Sequence, residues 1–226
     1  MKKRTLLLII LMLIINLFVL SSCGKNYSEG LVYKINELNT YSVIGIGTCT
    51  DVDIVIPRIH NGIKVEAIET GAFSNSEIES ITMHNDIIYM GHSVFKDCKK
   101  LKKVNLSNNL KNINAFGFSG CTSLENIEIP RSVEIISYSA FEDCTYLKEV
   151  TFKKGSKLTT ILNSAFENCI SLESIEIPNS VTSIAKSVFK SCTNLTIYCE
   201  VEKQPSEWDI SWNPDKCPVI WGYKNN

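Results

Sequence analysis

The sequence predicts an α/β solenoid: about six 23-residue coils, each pairing a short parallel strand with a short helical or 3₁₀ turn. Three observations predict it. A phenylalanine recurs every 22 to 25 residues, a cysteine and then a leucine follow it at fixed distances, and each set leads into an apolar–polar–apolar triplet. Internal periods of roughly 20–50 residues mark repeat architectures, in which a unit too small to bury its own apolar face is stabilised by stacking on its neighbours.

The repeated phenylalanines are Phe73, Phe95, Phe118, Phe141, Phe166 and Phe189, with spacings of 22, 23, 23, 25 and 23 residues. Three residues after each, from the second onward, stands Cys98, Cys121, Cys144, Cys169 or Cys192. The first copy lacks this cysteine and is one residue shorter near Ser76. Three residues further come Leu101, Leu124, Leu147, Leu172 and Leu195, with Ile78 in the first copy. The triplets follow: Ile81/Met83, Val104/Leu106, Ile127/Ile129, Val150/Phe152 and Ile175/Ile177. Pro130 and Pro178 then stop the strand, and the chain runs through Ser132-Val133 or Ser180-Val181 to Ile136 or Ile184.

Residue type assigns each part a role. Alternation directs both apolar members of a triplet inward and the residue between them outward. Proline has no N–H to give to a ladder. The Ser-Ala/Val-Phe segment reads as one helical or 3₁₀ turn on the opposite wall, its Phe contributing about 2–3 kcal/mol when fully buried.

The stretch Ile-Glu-Ile-Pro-x-Ser-Val at 127–133 and 175–181 resembles the BspA-like leucine-rich-repeat proteins of bacterial surfaces, and the likeness runs over residues 31–226. The resemblance implies a leucine-rich-repeat right-handed solenoid, with parallel strands on one face and helical or extended segments on the other. It also implies a role in adhesion to host extracellular components or other cells. The short first copy and the longer turn Lys153–Lys157 depart from the pattern, and insertions of this kind map to turns.

Outside the repeats, residues 1–22 read as an export signal: Lys2, Lys3 and Arg4 precede an apolar run from Leu6 to Leu20. Leu20-Ser21-Ser22-Cys23 resembles a lipobox, which implies a diacylglyceryl group on Cys23 and a chain held on the outer side of a bacterial membrane. Residues 23–30 are then a polar tether, 31–67 an N-terminal cap with a degenerate first coil at Asp53–Pro57, 68–195 the solenoid and 196–226 a C-terminal cap. Removing the leader with its three basic residues leaves 20 basic against 24 acidic groups, a net charge of −4. That balance argues against nucleic acid as a partner and against membrane binding by a basic patch.

The five periodic cysteines read as small buried thiols in an inner corner, since ladder side chains point alike rather than at one another. Cys199 and Cys217 stand apart as a candidate disulfide. No Cys-x-x-Cys cluster points to a metal, and no cofactor is implied. Trp208, Trp212 and Trp221 read as a lid over the last coil, with an aromatic sugar site as the alternative. His60, His84 and His92 are scattered, and the periodic thiols read as buried, so no Cys-His nucleophile is expected. No hydrolase or phosphate-loop motif occurs.

What the coils offer is an outward polar wall. Its expected binding face is Lys103, Asn105, Asn126, Glu128, Glu149, Thr151, Ser174 and Glu176, flanked by Ser80, Thr82, His84, Ser107 and Lys153. The expected partner is an extracellular protein or polysaccharide, met by a monomer through many weak polar contacts. A solvated wall with no dedicated ligand, as in an envelope spacer or an immune-exposed protein, is the competing reading, and an envelope hydrolase a third.

Overall fold

The computed structural model of the protein describes residues 26–224. The expected leader and Cys23 lie outside them. The described chain is a parallel β-solenoid with three walls. Along the first wall run β3 (Asp53–Val55), β6 (Ser80–Thr82), β8 (Lys103–Asn105), β10 (Asn126–Ile129), β12 (Glu149–Phe152), β14 (Ser174–Ile177), β16 (Thr196–Cys199) and β17 (Val219–Trp221). They form two parallel ladders, β3-β6-β8 and β10-β12-β14-β16-β17, that meet where β8 lies against β10. These eight rungs exceed the six coils marked by phenylalanine, because strands within both caps join the stack.

The second wall is a ladder of short strands. From β5 (Ile63–Ile68) it passes to β7 (Tyr89–Met90), then to β9 (Asn112–Ile113), β11 (Ile135–Ile136), β13 (Thr160–Ile161) and β15 (Ser183–Ile184). One residue of each short rung, such as Ile136, Ile161 or Ile184, is buried in the common core.

The third wall corrects the expected helical turns. No helix occurs among the described residues, so the fold is all-β rather than α/β. Each Phe is flanked two residues before and two after by backbone in the left-handed region: Gly71/Asn75, Ser93/Asp97, Phe116/Gly120, Ser139/Asp143, Ser164/Asn168 and Ser187/Ser191. That conformation is incompatible with a continuing α-helix. The hydrogen bonds alternate to match. Phe116, Phe118 and Gly120 donate their N–H groups to Tyr138, Ala140 and Glu142 of the next coil, while Gly117, Ser119 and Cys121 donate three residues back within their own. The wall is a stack of β-turns, satisfied half within coils and half between them. Gly120 shows how tightly coils meet here: a Cβ at that position would collide with the Asp97 carboxylate.

The core follows from this register. The six phenylalanines form a continuous column, with ring centroids 5.2–5.7 Å apart and planes within 15° of parallel. Offset aromatic stacking of this kind adds to the burial term. Trp212 closes the column edge-on to Phe189 at 5.9 Å. Trp208 and Trp212 are buried against each other, and Trp221 packs on Trp208.

At the other end, β1 (Val32–Ile35) and β2 (Tyr41–Gly45) form an antiparallel hairpin, and β2 pairs in parallel with β5. Tyr33 stacks at 3.8 Å on His60 of β4 (Ile59–His60), and Tyr41 meets the same ring edge-on. Within the stretch expected as a tether, Ser28 packs on the first rung. Ser28 is buried, its N–H donates to the Val55 carbonyl and its Oγ accepts the Val55 N–H, covering the outer edge of β3. Covering that edge leaves no raw strand at the first rung.

Two substitutions test this packing. Phe141→Ala, in mid-column, is expected to cost about 3–5 kcal/mol in denaturant unfolding. Phe116→Gly is expected to stabilise by roughly 0.5–1 kcal/mol, because Phe116 holds a half-exposed ring at φ 57° where four of the other coils place serine.

Candidate functional site

The outward side chains of the first wall line up in two columns set by the strand register. One runs Asp53, Ser80, Lys103 and then Asn126, Glu149, Ser174, Thr196. The other holds Val55, Thr82, Asn105, then Glu128 and Thr151, then Glu176, Tyr198 and Ile220. Lys103, Asn105, Asn126, Glu128, Glu149, Thr151 and Ser174 are exposed, and Glu176 is half-buried. All eight expected residues therefore share one face.

Local contacts order this face without neutralising it. Ser80 donates to the Asp53 carboxylate at 2.6 Å, and the Asn105 amide to Thr82 at 3.1 Å. Glu128 is paired by Lys153 at 3.3 Å. Lys103 and Glu149 make no ion pair among the described residues. Beside them runs a column of alternating sign, Glu79, Lys102, Glu125, Lys148 and Glu173, in which Glu79–Lys102 and Glu125–Lys148 pair at 2.8 Å. Stacked rungs put residues one coil apart side by side, so a like-charged column would repel itself.

Two residues expected beside the wall are not on it. Ser107 is fully buried, its Oγ accepting the Asn109 N–H. His84 turns into the corner below the strand: its Nε2 meets the Pro57 carbonyl at 3.0 Å and its Nδ1 accepts the Asp86 N–H at 3.2 Å. Both nitrogens are satisfied by the neutral ring, and burial holds its pKa below the usual histidine value. Asp86 in turn is bonded through one oxygen to the Arg58 guanidinium.

The wall also continues where the sequence suggested only a cap. Tyr198 stands in register with Glu176 and Ile220, and its ring lies 4.9 Å from that of Tyr223. The neighbouring Glu176 charge pushes the Tyr223 phenol up. One face therefore ends in two tyrosines and an exposed isoleucine. The signal for this extension was present: Ile197 and Cys199 follow Ile175 and Ile177 by 22 residues.

The thiols form the expected internal column and show what holds it. Cys98, Cys121, Cys144, Cys169 and Cys192 are buried, and each Sγ–H donates to the carbonyl of the phenylalanine one coil back at 3.0–3.2 Å. Burial pushes Cys144 far up and Cys192 up to about 12. Cys199 and Cys217 are free thiols in this structure rather than a bridge. Cys217 extends the column instead, donating to the Cys192 carbonyl at 3.3 Å, while burial pushes Cys199 up to about 12. Among the described residues, no group of three His, Cys, Asp or Glu side chains is placed to hold a metal ion. No helix among them is long and apolar enough to cross a membrane.

Comparison with known proteins matches residues 66–196, more than half the chain, to the family described as BspA type leucine rich repeat region, in six copies. Among solved structures, a leucine-rich repeat protein of T. pallidum is 20% identical, with a TM-score of 0.60, over 76% of this chain and 91% of its own. A leucine rich cell surface protein of Faecalibacterium prausnitzii is 22% identical, with a TM-score of 0.57, over 82% of this chain and 57% of its own. The pneumococcal vaccine antigen PcpA is 25% identical, with a TM-score of 0.59, over 77% of this chain and 49% of its own. No curated protein matches the sequence.

Two measurements follow from the buried groups. Alkylation of the native protein at pH 8 is expected to modify Cys49, the half-exposed thiol, and to reach the seven buried thiols between Cys98 and Cys217 only after denaturation; intact mass counts them. For His84, the folded state keeps the neutral ring while the unfolded chain takes up a proton below about pH 6.5. Its contribution to stability is complete above that pH and falls as the pH drops toward the lower folded value. Unfolding curves between about pH 7.5 and 5.5 are expected to flatten in His84→Gln.

Proposed function

The chain belongs to the BspA type leucine-rich-repeat family, and on that premise we propose that it is a lipid-anchored module of the bacterial cell surface that binds an extracellular protein or glycan through its first wall. The observation that carries this reading is the outward double column from Lys103 to Tyr198. It is largely exposed and runs along two parallel ladders that meet at β8 and β10, so its register is set by strands rather than by loops. A surface of this kind meets its partner at many points, each weak and polar. The two tyrosines at its C-terminal end add the large amphipathic area that interface hot spots favour.

Family membership supports a surface role. One solved structure of this fold is named a cell surface protein and another a vaccine antigen. The anchor rests on the chemistry of Cys23, whose sulfur, once it carries a diacylglyceryl group as a thioether, holds the chain at a membrane without a spanning helix. A single acyl chain binds membranes only marginally, so a diacylglyceryl group is the form that retains such a chain.

The test is a binding array of matrix proteins and glycans probed with the chain from residue 24 onward. Reversing charge at Glu128, Glu149 and Glu176 together is expected to weaken the strongest hit by about tenfold or more, with most of the change in association rate and salt dependence. Unchanged binding would assign the partner to another face, and an array without hits would favour a wall with no ligand. For the anchor, Cys23→Ala is expected to abolish metabolic labelling with a fatty acid.

A further inference from the structure

The N-terminal cap carries a concavity on the outer face of its sheet. Strands β1, β2 and β5 turn one face toward the core through Val43 and Ile68. The opposite face, with Lys34 paired to Ser42 and Ser42 to Ala67, forms the floor of a cleft of about 580 Å³. Its rim is rigid. The Asn36 side chain accepts the N–H groups of Leu38 and Thr40 and donates to the Thr40 hydroxyl, locking the hairpin turn.

Ser42 marks this cleft as more than a dent. It is 1% exposed, yet its Oγ has no hydrogen-bond partner. A buried hydroxyl without a partner is costly and uncommon in native proteins. Around it the cleft is lined by Lys34, Glu37 and Glu69, none of which makes an ion pair or side-chain hydrogen bond among the described residues. Elsewhere on the molecule, by contrast, lysine and glutamate are repeatedly paired across coils. Ile35 and Ile44, both exposed, supply aliphatic surface at the same place.

We propose that this cleft is a binding site for a neutral sugar ring. The donor and acceptor inventory selects that class. Glu37 and Glu69 accept from hydroxyls, Lys34 donates to one, and Ser42 does either. The isoleucines take the C–H face of a pyranose. A simple amine would leave Lys34 unmatched, and an anion would meet the net negative charge of the three ionised groups. The volume lies in the ordinary range of small-molecule sites, roughly 300–1,000 Å³. This site lies on the cap and does not depend on the wall proposed above as the binding face.

Saturation-transfer NMR on the purified protein tests it, with methyl β-D-glucopyranoside and methyl β-D-galactopyranoside as probes and glycine as a zwitterionic comparison. Transfer to at least one sugar is expected, weakened about fivefold to tenfold in Ser42→Ala and in Glu69→Ala. The melting temperature of Ser42→Ala is expected to hold or rise, since the lost hydroxyl has no partner to give up. Lys99→Ala, at an exposed position outside both the cleft and the wall, is expected to leave the sugar signal unchanged. No transfer to either sugar, equal transfer in both cap variants, or transfer to glycine alone would each overturn the proposal.

Discussion

Everything in this molecule depends on one constraint: every coil must place the same backbone atoms opposite those of its neighbour at the spacing of a parallel ladder, about 4.8 Å. Once that holds on the strand wall, it holds around the whole circuit. Phe118 then lies under Phe141 with planes 5° apart, and the N–H of Phe118 reaches the Ala140 carbonyl. The thiol of Cys144 likewise reaches back to the Phe118 carbonyl at 3.1 Å. Aromatic stacking, backbone pairing and thiol donation are three consequences of a single register. A change of length is therefore absorbed only in a turn, as at Lys153–Lys157, where Arg131 reaches across to the Gly155 carbonyl.

The same constraint decides which features the sequence made legible. A residue that must be identical in every coil is visible as a period, and Phe, Cys and Leu were read correctly as core on that ground. A conformation that must be identical is not visible in the same way. The left-handed backbone on either side of each Phe is served by Ser, Gly, Asp, Asn and even Phe116, so no single letter repeats. The segment is short, mixed and carries alanine, which reads as a helical turn, while the polar residues around it also tolerate the left-handed backbone. The second ladder was hidden for another cause. Its rungs are two residues long, with one buried side chain each, too little to show alternation.

The candidate face was legible in part. Alternation along the strands assigned all eight wall residues to one side, because period two leaves no choice once the core residues are known. It failed where the strand ends: Ser107 and His84 lie beyond their strands, in turns where alternation no longer holds, and both are drawn inward by backbone partners. Tyr198 is not among the expected wall residues, and Cys217 reads as half of a bridge rather than as a member of the thiol column, because residues 196–226 read as a cap. The spacing from Ile175 to Ile197 and from Cys192 to Cys217 keeps the count of a coil even so.

Periodicity also limits what each part of such a molecule can do. A wall of equivalent rungs presents equivalent groups at equal intervals, so it is flat along the stack and gathers affinity by addition. Charges on it must alternate or stay sparse, as they do from Glu79 to Glu173. Repeated rungs build an extended surface of like groups, whereas unlike side chains gathered at one point need a departure from the repeat. Only where the repeat is broken does the chain run antiparallel, as in the hairpin of β1 and β2, and there the backbone turns back over its own sheet. In that break the unsatisfied Ser42 hydroxyl lies beside Lys34, Glu37 and Glu69, whereas its counterpart within the repeats is the Ser180 hydroxyl. In a solenoid of this kind, repeated chemistry belongs to the walls, and a cluster of unlike groups arises where the period is interrupted.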